Sequence, residues 1–251
     1  MKSKFYESDY EEALIDLLQE QGWEYTHGGN IHRNNRDVLL KDDMTVYLKR
    51  RYNELTDEDI ENIYNHLRHT SGQTHFELLR NSYYLARDGY RYTRHSDGKH
   101  FDIEYLDFEP ENENNIYRCV NQFEVGYGQK TDVRIPDVML FVNGIPLCIF
   151  ELKNPTDFNA TIADAYEQIH TRYMRDIPHL LRYCPLSCIS DATVNNTKLG
   201  TTYTPYEHYY AWKKVNNEDP AAQRGIDQVK TIGAGAYQPD RFMEILRDYV
   251  Y

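Results

Sequence analysis

The stretch from Pro136 to Lys153 consists of two apolar runs joined by an Asn143-Gly144 pair, and it constrains the fold more than any other part of the chain. An Asn-Gly pair between apolar runs is a strong signal for a tight β-hairpin turn. The runs 138–142 and 145–150 contain no charged residue, as expected for interior strands that are covered on both faces. The sequence therefore predicts a central sheet built around this hairpin.

Charged residues bracket the hairpin. Asp137 precedes the first strand, and Glu151 and Lys153 lie at the end of the second, where side chains two residues apart share a face. A three-residue turn with a bulge would set Asp137 opposite Glu151, whereas a two-residue turn would set it opposite Phe150, with local twist making up the offset. A divalent metal would neutralise the two acids, and the lysine could then assist chemistry on a phosphate. The alternative is an ordinary hairpin whose charges mark the strand ends, with Lys153 neutralising an acid.

Composition narrows the class of protein. With 251 residues, of which 40% are hydrophobic, the chain can form one large globular domain, or one domain with appendages. Its apolar runs are too short to span a bilayer and its first residues lack a signal-peptide core, so we expect a cytoplasmic protein that does not contact a membrane. A net charge of −12 argues against tight autonomous binding to nucleic acid.

Hydrophobic periodicity and capping signals predict the order of elements. Helices are predicted over 8–21, 56–69, 74–87, 159–175 and 239–250, strands over 116–125, 186–190 and 199–204, a hairpin over 90–108, and a connector over 214–236. In the first helix, Ser8-x-x-Glu11 has the form of a capping box, although Glu11 also lies on the inward apolar stripe.

This order resembles the core of the PD-(D/E)XK nucleases. The fold class that the resemblance implies is α/β, a restriction-endonuclease-like core with a mixed central sheet flanked by helices and an additional N-terminal hairpin and helical insertion. The motifs at 143–155, 159–168, 176–178, 188–191, 200–202 and 210–212 are similar, more specifically, to the amino-terminal region of the R subunit of type I restriction-modification enzymes.

The resemblance carries expectations about function. Residues 1–213 would form the nuclease domain, with its core at about 116–204 plus the first helix, and 214–251 would be a connector and closing helix leading toward a motor region. ATP would bind only in that motor. The domain would cut double-stranded DNA non-specifically, together with specificity and methyltransferase subunits. The rival hypotheses are a non-catalytic docking domain and a free-standing nuclease of the same superfamily.

The resemblance also assigns residues. Asp137, Glu151 and the carbonyl of Leu152 would hold Mg²⁺, for which Mn²⁺ can substitute, and Lys153 would orient the attacking water or stabilise developing negative charge. Glu11 would correspond to the first-helix glutamate of the nuclease core. The alternative for Glu11 is a capping-box partner of Ser8.

The family's Gln-x-x-x-Tyr motif departs from its pattern here, because Gln168 and Tyr173 are separated by one residue too many. Side chains five apart on an α-helix diverge by about 140°. Either a local bulge restores their alignment, or Tyr173 belongs to the core and Gln168 alone keeps the role. Between them lie His170, expected to be structural or exposed, and Arg172, which is either a phosphate contact or part of a solvated face.

Overall fold

The computed structural model describes residues 7–109, 113–129, 131–153, 161–191, 193, 195–216, 218–220 and 225–250. Within these residues a seven-stranded sheet has the order β1-β4-β7-β8-β9-β10-β11. Its neighbours pair in both senses: β1 with β4 and β8 with β9 are parallel, and the other pairs are antiparallel. The architecture is therefore a mixed central sheet flanked by helices, as the sequence predicted.

The helices are α1 (Glu7–Glu20), α2 (Lys41–Arg51), α3 (Asp57–Arg68), α4 (His75–Asp88), α5 (Ile162–Glu167), a π-helix (Gln168–Tyr173), α6 (Met174–Asp176), α7 (Pro178–Leu181), α8 (Gly225–Ala236) and α9 (Pro239–Asp248). The strands are β1 (Glu24–His27), β2 (Tyr90–Thr93), β3 (His100–Ile103), β4 (Tyr117–Asn121), β5 (Val125–Gly126), β6 (Val133–Arg134), β7 (Val138–Val142), β8 (Ile145–Leu152), β9 (Leu186–Ser190), β10 (Thr197–Thr201) and β11 (Tyr210–Ala211). Strands β2 and β3 form a separate hairpin, and β5 and β6 another small pair.

Every residue of β7 and β8 is buried, because helices cover both faces of the sheet at this point. The ring of Phe150 lies 4.7 Å from that of Tyr237, directly after α8, while the next residue, Glu151, contacts Tyr173 of the π-helix. Successive strand residues point to opposite faces. Helices α1 and α8 therefore lie on one side of the hairpin, and α5 with the π-helix on the other.

The turn of the hairpin is itself buried. The side chain of Asn143 accepts a hydrogen bond from the backbone N–H of Ile116 at 2.8 Å and donates to the carbonyl of Tyr105 at 2.9 Å and to Asn115 Oδ1 at 2.8 Å. Gly144 has a φ of +81°, and a Cβ there would lie 2.1 Å from the carbonyl oxygen of Leu40. Only glycine fits at position 144, and the three side-chain hydrogen bonds of Asn143 fix the hairpin at its closed end.

The predicted connector over 214–236 is wrong in its second half, where residues 225–236 form helix α8. Its three glycines suggested a loop, but two of them allow close packing: a Cβ on Gly233 would lie 2.5 Å from Leu17, and one on Gly235 would lie 2.1 Å from Trp212. Burial of Val229 and Ile232 then outweighs the poor helix propensity. The first residues of the predicted 159–175 helix lie outside the described residues. None of the helices described is long and apolar enough to cross a membrane.

Candidate active site

The two predicted acids lie on neighbouring strands at the open end of the hairpin. Val138 pairs with Phe150, so that Asp137 and Glu151 are the next residues outward on the two strands. Both proposed turn geometries contribute to this register. The turn itself has two residues, since Val142 pairs with Ile145, and the register shifts at a bulge between Leu140 and Phe141. The bulge restores the offset that a two-residue turn alone would leave.

Glu151 is a buried carboxylate with charged and polar partners. Its side chain is 1% exposed, and its Oε1 atom lies 2.5 Å from Nζ of Lys153. The hydroxyl of Tyr173 donates to its Oε2 atom at 3.0 Å. A buried charge is expensive unless it is paired and hydrogen-bonded, and here both conditions are met. The charges at this end of the hairpin are thus not those of a solvent-exposed strand end.

Asp137 faces the same strand from the other side of the hairpin. Its Oδ2 atom accepts a hydrogen bond of 2.6 Å from the backbone N–H of Leu152, which lies between Glu151 and Lys153. The backbone N–H of Lys153 donates to the carbonyl of Ser190 at 2.7 Å, so pairing with β9 continues through the lysine. The side chain of Asp137 on one side and the backbone of Ser190 on the other therefore hold this end of β8 in position.

The π-helix accounts for the extra residue between Gln168 and Tyr173. The backbone N–H of Met174 donates to the carbonyl of Ile169, five residues earlier, as in a π-turn. The wider turn brings the amide nitrogen of Gln168 to 2.8 Å from the Tyr173 hydroxyl, and Oε1 of Gln168 accepts from Nζ of Lys153 at 3.0 Å. Of the two outcomes left open by the sequence, the structure has the bulge that restores the alignment.

Tyr173 is also part of the core, with 1% of its surface exposed. Burial, followed by the negative charge of Glu151, raises its pKa well above the ordinary value for a tyrosine. The hydroxyl therefore stays protonated and serves as a hydrogen-bond donor to Glu151. Glu151, Lys153, Gln168 and Tyr173 form a closed ring of hydrogen bonds, with Asp137 beside it.

The residues between Gln168 and Tyr173 lie outside this ring. His170 stacks on Tyr166, with ring centroids 3.8 Å apart, and its Nε2 atom lies 2.9 Å from the hydroxyl of Tyr209. Burial lowers its pKa to about 4, so the imidazole is neutral at physiological pH. It is a structural residue that holds the π-helix against the sheet. Arg172 is exposed.

Glu11 lies apart from the ring. Its Oε1 atom accepts a hydrogen bond of 2.7 Å from Asn121 at the end of β4, and Tyr25 donates to the other side of the same amide at 2.9 Å. Asn121 pairs with Val138, next to Asp137. Asn121 and Tyr25 were not among the predicted site residues. The polar Asn121 directly after Cys119 and Val120, which are buried, was the available signal, whereas β1, which carries Tyr25, was not predicted at all.

The oxygen donors at this point suit a small hard cation. Two carboxylates, from Asp137 and Glu151, and the backbone carbonyl of Leu152 lie at one end of β8. Magnesium sites in phosphate-processing enzymes commonly use one or two carboxylates, with water and phosphate oxygens completing the shell. Among the residues that the structure describes, no group of three or more His, Cys, Asp or Glu side chains could hold a metal. A two-carboxylate site is compatible with that finding.

A mixed sheet flanked by helices, with two acids and a lysine gathered at the open end of its central hairpin, defines a restriction-endonuclease-like core. The chain belongs to the family of the type I restriction enzyme R protein N terminus, whose model matches residues 4–207.

Two relatives illustrate the extent of the similarity. The type I restriction enzyme HindI endonuclease subunit of Haemophilus influenzae is 30% identical over 257 residues, covering 97% of this chain and 24% of the relative. A protein of Methanocaldococcus jannaschii, provisionally named the type I restriction enzyme MjaIXP endonuclease subunit, is 28% identical over 271 residues, covering 96% of this chain and 25% of the relative. The chain thus spans about a quarter of the length of these relatives.

Proposed function

We propose that this chain is the Mg²⁺-dependent endonuclease region of a type I restriction enzyme R subunit. It cleaves double-stranded DNA non-specifically after ATP-driven translocation by motor domains that follow it in the full-length subunit. The relatives support this proposal because they are named as endonuclease subunits and are about four times as long as the matched region. ATP binds in the motor region only, and the specificity and methyltransferase subunits of the complex are the partners.

The single observation that carries the proposal is the ring of hydrogen bonds around Glu151. The buried carboxylate of Glu151 bonds a lysine and a tyrosine, and the tyrosine in turn bonds a glutamine. An ordinary strand end has no need of such an arrangement. A second carboxylate, Asp137, lies on the adjacent strand. A docking surface requires no such set, because it needs neither buried acids nor a lysine directed at them.

Each residue of the site would have a separate role in the cleavage reaction. Asp137, Glu151 and the carbonyl of Leu152 would hold Mg²⁺, or Mn²⁺ in its place. When bound, the ion would polarise the scissile phosphate and lower the pKa of the attacking water. Lys153 holds the nucleophilic water or stabilises charge that develops on the phosphate. Gln168 and Tyr173 fix the positions of Lys153 and Glu151, because each of them bonds one of these two side chains.

The charge of the chain fits a domain that binds DNA only weakly by itself. A net charge of −12 repels a polyanion, and binding through phosphate contacts requires lysine and arginine. The proposal therefore assigns most of the affinity for DNA to the motor and to the other subunits. The isolated 251-residue chain should bind duplex DNA weakly and cut it poorly.

The proposal is tested in the full-length subunit, assembled with its partners. Lys153→Ala and Asp137→Ala should each reduce DNA cleavage by at least about 100-fold, since each removes a group that acts on the reacting phosphate. ATP hydrolysis and translocation should be unchanged because the motor lies elsewhere.

Lys49→Ala serves as the control, because Lys49 forms an exposed ion pair with Asp57, away from the site. It should leave both activities unchanged. Cleavage that survives in both site variants would contradict the nuclease assignment, and loss of ATP hydrolysis along with cleavage would favour a docking role.

A further inference from the structure

A small cavity of about 140 Å³ lies between the segment after β1, helix α3 and helix α7, outside the ring around Glu151. Its lining includes the charged residues Arg36, Asp37, Arg68 and Arg182 together with His179. This volume is several times larger than the volume that one water molecule occupies in the liquid, which is about 30 Å³. The cavity is therefore large enough for a small ion with several oxygen atoms.

The lining has an excess of positive charge in a chain that is strongly acidic overall. The lining includes three arginines and one aspartate, Asp37, which Arg68 contacts at 3.0 Å. Even with that pair neutralised, Arg36 and Arg182 leave two positive charges. In a chain of net charge −12, such a concentration of arginine favours an anion as the ligand.

Hydrogen bonds hold Arg36 and Arg182 in position but use only some of their N–H donors. Arg36 donates to the carbonyl of Gly128 at 2.7 Å, and Arg182 donates to Ser82 Oγ at 3.2 and 3.3 Å and to the carbonyl of Thr70. Each guanidinium has five N–H donors. The bonds of the described residues use only part of them, so that pre-positioned donors remain for a ligand.

His179 supplies an independent sign that a polar ligand is expected. Its Nε2 atom is buried and has no hydrogen-bond partner among the described residues. Burial, followed by the charge of Arg36, lowers the pKa of this imidazole, so the ring is neutral. A buried ring nitrogen without a partner is destabilising, and an oxygen atom bound in the cavity would satisfy it.

One residue of the cavity lining, His179, lies close along the chain to the ring around Glu151. His179 follows Tyr173 by six residues, and six residues span at most about 20 Å even when fully extended. Double-stranded DNA carries one phosphate charge per about 1.7 Å of its axis. A duplex positioned at Glu151 therefore carries several phosphates over a length equal to that separation.

We propose that this cavity binds a phosphate group, and that the phosphate belongs to the backbone of DNA beside the scissile bond. The binding of phosphate as such stands on the cavity alone. Its assignment to a DNA backbone rests on the nuclease function proposed above, and the two are tested separately.

The first experiment titrates the 251-residue chain with inorganic phosphate, using chloride at equal ionic strength as the reference and a chelator to remove metals. Thermal stability should rise with phosphate, and the resonances of the His179 ring should shift. In Arg68→Gln or Arg36→Gln the phosphate affinity should fall roughly tenfold, because a charge-assisted hydrogen bond is lost.

Arg91→Gln is the matched control. Arg91, like Arg68, is a largely exposed arginine paired with an aspartate, and it lies on the separate β2–β3 hairpin. It should bind phosphate as the unaltered chain does. Equal responses to phosphate and chloride, or equal losses in Arg68→Gln and Arg91→Gln, would overturn the proposal. Circular dichroism checks that each variant is folded.

The second experiment identifies the source of the phosphate. Binding of a DNA duplex is measured by fluorescence anisotropy over a range of salt concentrations, again without metal. Arg68→Gln should weaken binding and reduce the slope of log K against log salt by about one, while Arg91→Gln should not. An unchanged slope, with phosphate binding intact, would overturn the DNA backbone as the source and indicate a free phosphate or nucleotide. Because neither experiment measures cleavage, their failure would leave the test at Lys153 undisturbed.

Discussion

Both ends of the β7–β8 hairpin bury polar side chains, but they use them in different ways. At the closed end, Asn143 bonds three backbone or side-chain groups that belong to other parts of the fold. At the open end, Glu151 bonds the side chains of Lys153 and Tyr173. The bonds of Asn143 are part of the scaffold, whereas those of Glu151 join groups that a metal or substrate could engage. Buried polarity alone therefore does not identify a functional site, and the nature of the partners is what separates the two ends.

The largest effect on stability should follow from Asn143→Ala. The change removes three hydrogen bonds, those with the Ile116 N–H, the Tyr105 carbonyl and Asn115 Oδ1, and it puts alanine at a φ of +52°. We expect the free energy of unfolding to fall by about 4 kcal/mol, measured by urea denaturation. Asn62→Ala, at an exposed position of α3, should change it by less than about 0.5 kcal/mol. Similar losses in the two variants would remove the structural role assigned to the closed end.

The open end should behave in the opposite way. Asp137→Asn keeps an oxygen that can accept from the Leu152 N–H, so the free energy of unfolding should change by less than about 1 kcal/mol. Affinity for Mn²⁺ should fall at least about tenfold, because a neutral amide is a poorer ligand than a carboxylate. Electron paramagnetic resonance titration of free Mn²⁺ measures this loss. If stability collapsed while Mn²⁺ affinity stayed the same, the contrast between the two ends would be false.

A smaller effect concerns pH and His170. Its pKa is lowered from 6.5 to about 4 in the folded chain, so the unfolded chain binds the proton more readily between those values. Stability from this group is complete above about pH 6.5 and is lost as the pH falls toward 4. The melting temperature should therefore decline less steeply over this range in His170→Phe than in the unaltered chain. The same comparison with His75→Gln, at an exposed position, should give no difference.

The smallest effect is expected from deletion of Thr171, an exposed residue of the π-helix. Deletion gives Gln168 and Tyr173 the spacing that aligns side chains on an ordinary α-helix. The bond between them should persist, and the full-length variant should retain most of its cleavage activity. Activity lost as completely as in Lys153→Ala would show that the π-turn does more than absorb one residue.

Much of the fold could be predicted because local signals agreed with the tertiary structure. Helices α1, α3, α4 and α9 and strands β7, β8 and β9 lie within a few residues of their predicted positions, since each has a clear apolar pattern or cap. Helix α2 was missed because it is largely polar and Leu40, at its N-cap, provides no side-chain cap. Strand β1 was missed because its four residues are mostly exposed. Helix α2 packs against Gly144 and strand β1 pairs with β4, and no local sequence pattern indicates either contact.

The candidate site likewise has features that local sequence predicts and features that depend on tertiary packing. The sequence could name the acids and the lysine because their spacing and the apolar strands around them are local information, and it could name Gln168 only through the resemblance to the family. It could not decide how Asp137 meets Glu151, since a bulge between Leu140 and Phe141 sets the register. Nor could it find the bond between Glu11 and Asn121, which joins residues 110 positions apart. Both depend on packing rather than on neighbouring residues.

The π-turn bears on how such motifs are compared between proteins. An insertion of one residue into a continuous α-helix would rotate everything after it by about 100° and carry Tyr173 away from Glu151. Here the wider turn confines the insertion to the stretch from Gln168 to Tyr173, and the chain resumes its α-helical course at Met174. A search for a fixed spacing would pass over this chain, although the two side chains meet. The motif is better defined by the distance between an amide and a hydroxyl than by a count of letters.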